Sequence, residues 1–524
     1  MVTIIIYAIS PANKPVRRPG VPTYPALPYN CFFYVTDSPM NFPKTAASLL
    51  LLLASLAAHA LDTGRIPQNE IAVYVQELDS GKVIIDHRAG IPVNPASTMK
   101  LVTAFAAFKT FGSNYRWATE FKSNGTVNDG TLDGNLYWAG SGDPVFNQEN
   151  LLAVQRQLRD KGIRNITGRL MLDHSLWGEV GSPDHFEADS GSPFMTPPNP
   201  TMLSAGMVMV RAERNAAGST DILTDPPLPH IFAQNNLKIT ASQAACPSVK
   251  KLMRASFSGN TLKLRGNIPE SCLGKPVGVR MFALDELIRQ SFTNRWLLGG
   301  GRISDGIGIA DTPEGAQTLA VAHSKPMKEI LTDMNKRSDN LIARSVFLKL
   351  GGDGKLPAVS EQAASAVRRE LAVSGIDVAD LVLENGSGLS RKERVTARMM
   401  AQMLETAYFS PFAQDFIDTL PIAGTDGTLR NRFKQSGGLL RLKTGTLNNV
   451  RPCRLLAGRQ TDGGGRHHQQ RPRRFPAARL GQLRCQKHHL RRRRLAGCET
   501  DVQRTPRLNR ENIKMPSELF GRHF

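Results

Sequence analysis

The sequence predicts an α/β fold in which a helix-and-sheet domain is interrupted by a large strand-rich insertion. Three observations carry this. Residues 71–90, IAVYVQELDSGKVIIDHRAG, read as two strands joined by the turn Asp79-Ser80-Gly81. The apolar run Met99 to Phe108 behind Asn94 and Pro95 suits a buried helix. Between about Trp117 and Ala310 the texture changes to short alternating runs such as TEFKSNGTVNDGTLDGNLYWAG, cut by Gly, Asn and Asp, before helical patterns return.

In chain order, Asn94 caps the first long helix, Pro95 suits its first turn and Gly112 marks its end. Residues 117–310 form the insertion, long enough to hold a nested module at about 205–280. Helices then resume in KPMKEILTDMNKRSDNLIARSVFLKLGG (325–352) and EQAASAVRRELAVSG (361–375). The turn-rich ENGSGLSRKERVTARMMAQMLETAY (384–408) and the strand-like GGLLRLKTGTL (437–447) close the body. The interrupted domain is therefore expected in two parts, 61–116 and 311–450.

The formal net charge of +21 suggests a nucleic-acid or membrane partner until it is located along the chain. Residues 451–524 hold 17 Arg and 2 Lys against 5 acidic residues, whereas 61–450 carry only +4. The body is nearly balanced, so a nucleic-acid role loses its support. The tail itself, with QRPRRFPAARLGQL and LRRRRLAGCETD, shows no strand alternation or amphipathic period. It reads as a reading-frame change near Val450, with a disordered basic appendix as the alternative. The central sheet is then expected to have a bare edge beside the last strand, with poor folding and weak activity as the consequence.

Residues 40–60, MNFPKTAASLLLLLASLAAHA, have the form of an export signal: Lys44, an apolar core at 46–57, and Ala58-His59-Ala60. That core is too short to span a bilayer, so no integral membrane span is expected. The preceding 39 residues contain seven prolines and read as an extraneous extension. The mature body is expected to begin near Leu61, in the periplasm. Of six cysteines only Cys246 and Cys272 lie in the body, a plausible disulfide in an exported protein, with two free thiols as the alternative. No CxxC, HExxH or compact His cluster precedes residue 450, so neither a metal nor a cofactor is expected.

Ser97-Thr-Met-Lys100 places a hydroxyl and an amine on one helix face. A desolvated lysine can act as base toward a serine nucleophile, and a helix N-terminus favours charge developing there. A second Ser-x-x-Lys, Ser248 to Lys251, lacks an apolar helix behind it. Ser338-Asp339-Asn340 falls between two helical runs, where Ser338 could relay a proton and Asn340 hold a substrate amide. The similar Ser258-Gly-Asn260 has no helical flanks. Lys443-Thr444-Gly445 then sits on a strand, with Lys443 as positive charge, Gly445 allowing close backbone approach, and Thr444 and Thr446 offering hydroxyls. The three elements in this order are jointly specific.

Together they resemble the serine penicillin-binding proteins and β-lactamases, and among these the low-molecular-mass class C D-alanyl-D-alanine carboxypeptidase/endopeptidase family. GNLYWAGSGDP (134–144), LMLDHSLW (170–177), GSGLSR (386–391) and AGTDGTLRNRF (423–433) extend the similarity over roughly residues 65–450. The resemblance implies a transpeptidase-like domain, an antiparallel sheet flanked by helices. It implies Ser97 as acylated nucleophile, Lys100 as base, Ser338 and Asn340 as second-motif residues and Lys443 as third-motif lysine. A large insertion between the first two motifs is also implied, and 241 positions separate Ser97 from Ser338. Asp173 matches an acidic residue that would reach toward substrate. The implied partners are peptidoglycan muropeptides, with β-lactams as covalent inhibitors; the oligomeric state is left open. A β-lactamase and a non-catalytic wall-binding protein are the rival readings. The first is disfavoured by the motif spacing, and the second does not need the motif residues to converge.

Overall fold

Helix α1, Met99–Phe111, is buried at every residue from Met99 to Phe108, which fits its continuous apolar run. It is one element of a computed structural model that describes residues 2–9, 67–242, 245–304, 306–447 and 450–457. The export signal expected at 40–60, the rest of the first 39 residues and the tail from 458 onward lie outside the described residues.

The chain is α/β, with antiparallel sheet and helices around α1. The sheet contains β1 (Val2–Ile9), β2 (Ile71–Glu77) and β3 (Val83–His87), the last two joined through the Asp79–Gly81 turn as the alternation predicts. Helices α4 (Met327–Arg337), α5 (Asn340–Leu350), α6 (Ala358–Ala372) and α7 (Ala397–Tyr408) return after the insertion. Their apolar faces join α1 in one core that includes Phe105, Phe108, Met334, Val346, Phe347, Val367 and Met400. Helix α8 (Ala413–Asp418) adds Phe416, and the stacked rings of Phe108 and Phe412 tie it to α1.

The insertion holds a separate core, among whose members are Phe121, Trp138, Leu158, Leu172, Phe292 and Trp296. Its principal sheet runs β17 (Ile307–Ile309), β9 (Leu170–Asp173), β7 (Leu136–Ala139), β4 (Ala118–Ser123), β18 (Gln317–His323). Helices α2 (Gln148–Asp160) and α3 (Leu284–Leu298) supply apolar faces to the same core. The 205–280 stretch contributes two three-stranded sheets, β11-β10-β15 and β12-β14-β13, from β10 (Val208–Arg214), β11 (Thr220–Asp225), β12 (Phe232–Thr240), β13 (Met253–Ser258), β14 (Thr261–Pro269) and β15 (Val277–Val279).

The first and last strands of the insertion, β4 and β18, are antiparallel neighbours. The chain therefore leaves and rejoins the host domain at adjacent points. Trp117 N–H donates to Ser324 Oγ and Ser324 N–H to the Trp117 carbonyl, each at 2.9 Å. The inserted strands thus run to His323, past the boundary expected at Ala310. No helix among the described residues is long and apolar enough to cross a membrane.

Two strands depart from the expectation of a bare sheet edge. Beyond β19 (Leu440–Arg441), β20 (Val450–Ala457) and β1 complete the order β19-β20-β1-β2-β3. Val2–Ile9 reads VTIIIYAI, a β-branched run suited to a strand although it precedes the segment expected to be an export signal. An open edge accepts extended backbone through main-chain hydrogen bonds, which accounts for Val450–Ala457 pairing despite its irregular side-chain pattern.

Two local constraints can be tested. At Gly388 φ is +79°, and an added Cβ would stand 1.8 Å from the Ala96 carbonyl oxygen. Gly388→Ala is expected to cost about 2 kcal/mol or more in denaturant unfolding; an unchanged midpoint would contradict that close approach. Cys246 and Cys272 stand within disulfide reach, their Cα atoms 5.0 Å apart. Peptide mapping without reduction is expected to recover them linked, and two free thiols would contradict the pairing.

Candidate active site

Ser97 lies in the short turn Ala96–Thr98 that leads into α1. Asn94 does not cap α1 directly; its Oδ1 accepts from Ala96 N–H at 2.9 Å and shapes the turn before it. Ala96 adopts φ +46°, an uncommon left-handed conformation for a side chain with Cβ, so the turn holding Ser97 is strained. Ser97 is half-buried. One helical turn on, Lys100 Nζ donates to Ser97 Oγ at 3.3 Å.

Lys100 is fully buried, and its amine also donates to Asn340 Oδ1 at 2.6 Å and to the Ser387 carbonyl at 2.5 Å. Burial lowers its pKa to about 7, against the opposing pull of the Asp339 and Glu393 charges. An amine so placed can be neutral near pH 7 and accept the Ser97 proton.

Ser338-Asp339-Asn340 forms the junction between α4 and α5. Ser338 ends α4 in a left-handed conformation, φ 57° and ψ 43°. Asp339 caps α5 by accepting from Ile342 N–H at 3.0 Å, which leaves Asn340 as its first residue. The expectation that Asn340 holds a substrate amide meets a side chain already engaged at both ends. Its Oδ1 accepts from Lys100, and its Nδ2 donates to the Phe194 carbonyl of the insertion at 3.0 Å. Ser338 likewise faces the third motif, with Lys443 Nζ donating to its Oγ at 2.9 Å.

Lys443 is buried and also donates to the Thr444 carbonyl at 2.8 Å. Regular strand geometry stops at Arg441, so Lys443 to Thr446 follow β19 outside its ladder. The 423–433 loop supports them. Leu442 N–H donates to the Pro421 carbonyl at 3.0 Å, and Leu442 packs with Ala423 and Leu429. Gly445 is buried, Thr444 half-buried and within 3.5 Å of Thr428 Oγ1, and Thr446 exposed. The same loop steadies the second motif: Lys336, two residues before Ser338, donates to Asp426 at 2.6 Å.

Asp173 ends β9, where one carboxylate oxygen accepts from Ser175 N–H and the other from Thr312 N–H, each at 2.9 Å. Burial pushes its pKa up, but these hydrogen bonds outweigh it and hold the carboxyl below the usual carboxylate range. Its bonding among the described residues is that of a loop organiser. The insertion reaches the site through other residues, since Phe186 and Met195 pack with Ala96, Leu389 and Leu447. Ser248 only precedes a short helix, Val249–Leu252, whose Val249 belongs to the core of the insertion. The residues missed by sequence reasoning are Phe194, Ser387 and Glu393. The first two act through backbone carbonyls, which carry no residue-type signal.

Three comparisons place this arrangement among known proteins. Residues 52–468 match the family model for the D-Ala-D-Ala carboxypeptidase 3 (S13) family. The chain is 27% identical over 427 residues to the D-alanyl-D-alanine carboxypeptidase DacB of Haemophilus influenzae, covering 77% of this chain and 85% of that protein. It is 27% identical over 404 residues to the D-alanyl-D-alanine carboxypeptidase of Actinomadura sp. strain R39, covering 72% and 73%. The crystal structure of penicillin binding protein 4 from Haemophilus influenzae aligns with a TM-score of 0.54 at 25% identity, over 75% of this chain and 91% of that one. The same protein complexed with a novel beta-lactam aligns with a TM-score of 0.50 at 23% identity, over 72% and 87%. The match spans well over half of the sequence, and the chain belongs to the D-Ala-D-Ala carboxypeptidase 3 (S13) family.

Proposed function

We propose that this protein is a serine-type D-alanyl-D-alanine carboxypeptidase and endopeptidase that cleaves peptidoglycan peptides through an acyl-enzyme on Ser97. The observation that carries the reading is the convergence of three distant segments, linked as Ser97–Lys100–Asn340 and Ser338–Lys443 by hydrogen bonds of 2.6–3.3 Å. A non-catalytic wall-binding protein would not need that convergence.

Neutral Lys100 takes the Ser97 proton as Oγ attacks the carbonyl carbon of the penultimate D-Ala. The tetrahedral oxyanion is met by the backbone N–H groups of Ser97 and Thr446. As the intermediate collapses, the C–N bond breaks and the leaving nitrogen takes the proton held by Lys100, relayed through Ser338, which Lys443 orients, so that Lys100 is neutral again. Terminal D-Ala leaves, or, when that amine belongs to a cross-linked strand, the second peptide leaves. Water then attacks the ester, restoring the Ser97 hydroxyl and releasing the shortened peptide acid. Lys443, Thr444 and Thr446 receive the substrate carboxylate, with Gly445 allowing close approach, and Asp173 is a candidate for longer-range substrate contact.

A β-lactam presents an acyl donor to the same serine, and penicillin binding protein 4 of Haemophilus influenzae, solved complexed with a novel beta-lactam, supports extending this to the present chain. Periplasmic action, with the segment 40–60 as export signal, follows from a substrate that lies in the wall.

The experiment supplies a pentapeptide ending in D-Ala-D-Ala and a cross-linked muropeptide dimer to the full chain and to Ser97→Ala. Release of D-Ala and cleavage of the dimer are both expected, each falling by more than about a thousandfold in the variant. Equal turnover by the two proteins would contradict the reading, and D-Ala release without dimer cleavage would remove its endopeptidase half.

A further inference from the structure

The 384–393 loop contains a fully buried carboxylate for which the proposed reaction has no step. Glu393 Oε1 accepts three successive backbone N–H groups, from Glu384 at 3.3 Å, Asn385 at 3.0 Å and Gly386 at 2.9 Å. Its own N–H donates to Ser390 Oγ at 3.1 Å, and its Oε2 has no hydrogen-bond partner among the described residues. Three amides converging on one oxygen favour the carboxylate, whereas burial disfavours it and pushes its pKa up.

The segment held in this way touches α1 at successive residues. The Gly386 carbonyl accepts from Thr103 Oγ1 at 2.6 Å, and the Ser387 carbonyl accepts from Lys100 Nζ at 2.5 Å. Side chains in the loop reinforce the same geometry: Ser387 Oγ donates to Asn385 Oδ1 at 2.7 Å, and Asn385 Nδ2 to the Leu389 carbonyl at 2.8 Å. Gly386 cannot carry a Cβ, which would stand 2.7 Å from the Phe347 ring. The Ser387 carbonyl therefore has little freedom to shift, and Glu393 anchors the strand of chain leading into it.

We propose that Glu393 is a positioning residue for Lys100, holding the 384–388 loop so that the Ser387 carbonyl orients the amine while its negative charge acts on that amine across the loop. This rests on the reading of Lys100 as the base for Ser97. The surrounding charges are few. Asp339 acts on Lys100 from the cap of α5, and Lys443 is engaged with Ser338. Glu384 acts on Glu393 from the same loop, feels Arg344 on α5 and pairs with Lys392 at 3.1 Å. Arg394 donates to the Glu393 and Arg391 carbonyls, and the Arg391 guanidinium lies over the Phe186 ring. Where ionised, Asp339 and Glu393 favour the Lys100 ammonium against its burial.

The test measures the acylation rate of the full chain by a fluorescent penicillin across pH. Glu393→Gln keeps an acceptor for the three amides and removes the charge. It is expected to remain labelled, with the acid limb of its rate profile moved to lower pH, because a charge that favoured the ammonium is gone. Glu393→Asp keeps the charge but falls one methylene short of the amides, so its rate is expected to drop with the limb unmoved. A purely structural role would lower rates without moving the limb in Glu393→Gln, and that result overturns the inference. Should Glu393→Gln not fold, wild-type rates in Glu393→Asp would overturn it instead. A wild-type chain that takes no label overturns the Ser97 reading and this inference with it, whereas a labelled wild type with an unmoved Glu393→Gln limb overturns this inference alone.

Discussion

A lysine amine buried where an ammonium is poorly tolerated is the constraint on which the rest of the site depends. Bringing the Lys100 amine from its ordinary value of 10.5 to about 7 corresponds to disfavouring its charged form by on the order of 5 kcal/mol. A flexible or solvated lysine would not incur that penalty; it would swing outward. Lys100 is kept in place because its stem leaves a helix buried through Phe108, and its nitrogen lies within hydrogen-bond reach of Ser97 Oγ, Asn340 Oδ1 and the Ser387 carbonyl. The neutral amine can donate to the last two and turn its lone pair to the Ser97 hydroxyl. Each acceptor comes from a different part of the chain, so the site exists only when the host domain has closed around α1.

The surrounding architecture serves that closure. The α4–α5 junction uses a left-handed Ser338 and a capping Asp339 to aim two neighbouring side chains, Ser338 toward Lys443 and Asn340 toward Lys100. The 384–393 loop brings a carbonyl rather than a side chain, stabilised from below by Glu393. The insertion is not a passive appendage, since the Phe194 carbonyl fixes the far end of Asn340 and Phe186 and Met195 pack against the Ser97 turn. Its paired entry and exit strands allow a separate core to grow without disturbing the host.

Much of this was legible in the sequence because it depends on local spacing. Ser97 and Lys100 share a face at i, i+3; Ser338-Asp339-Asn340 sits between two apolar periods; the apolar run after Met99 announces a buried helix. What was hidden depends on long-range pairing. Nothing in QTLAVAH (317–323) shows that it will lie beside ATEFKS (118–123), so a boundary at 310 leaves a strand that pairs with the insertion's first strand outside it. The roles of Phe194 and Ser387 are carried by main-chain oxygens, and Glu393 in a charged run, RKER, looks like surface until the loop folds over it. The type and motif of Asn340 suggest a substrate amide as its partner, and only the folded chain shows the two protein contacts its amide also makes, to Lys100 and to the Phe194 carbonyl. The strands Val2–Ile9 and Val450–Ala457 escaped because sheet edges recruit backbone, which composition does not report.

The central claim is that Lys100 works as a neutral amine, and the pH dependence of wild-type acylation by a β-lactam tests it most directly. The amine is a proton acceptor above its pKa and an ammonium below it, so the second-order acylation rate is expected to rise with pH through a midpoint near 7 and then level. A rate that stays flat from pH 5 to 9, or one that rises only toward the ordinary lysine value near 10.4, would contradict it.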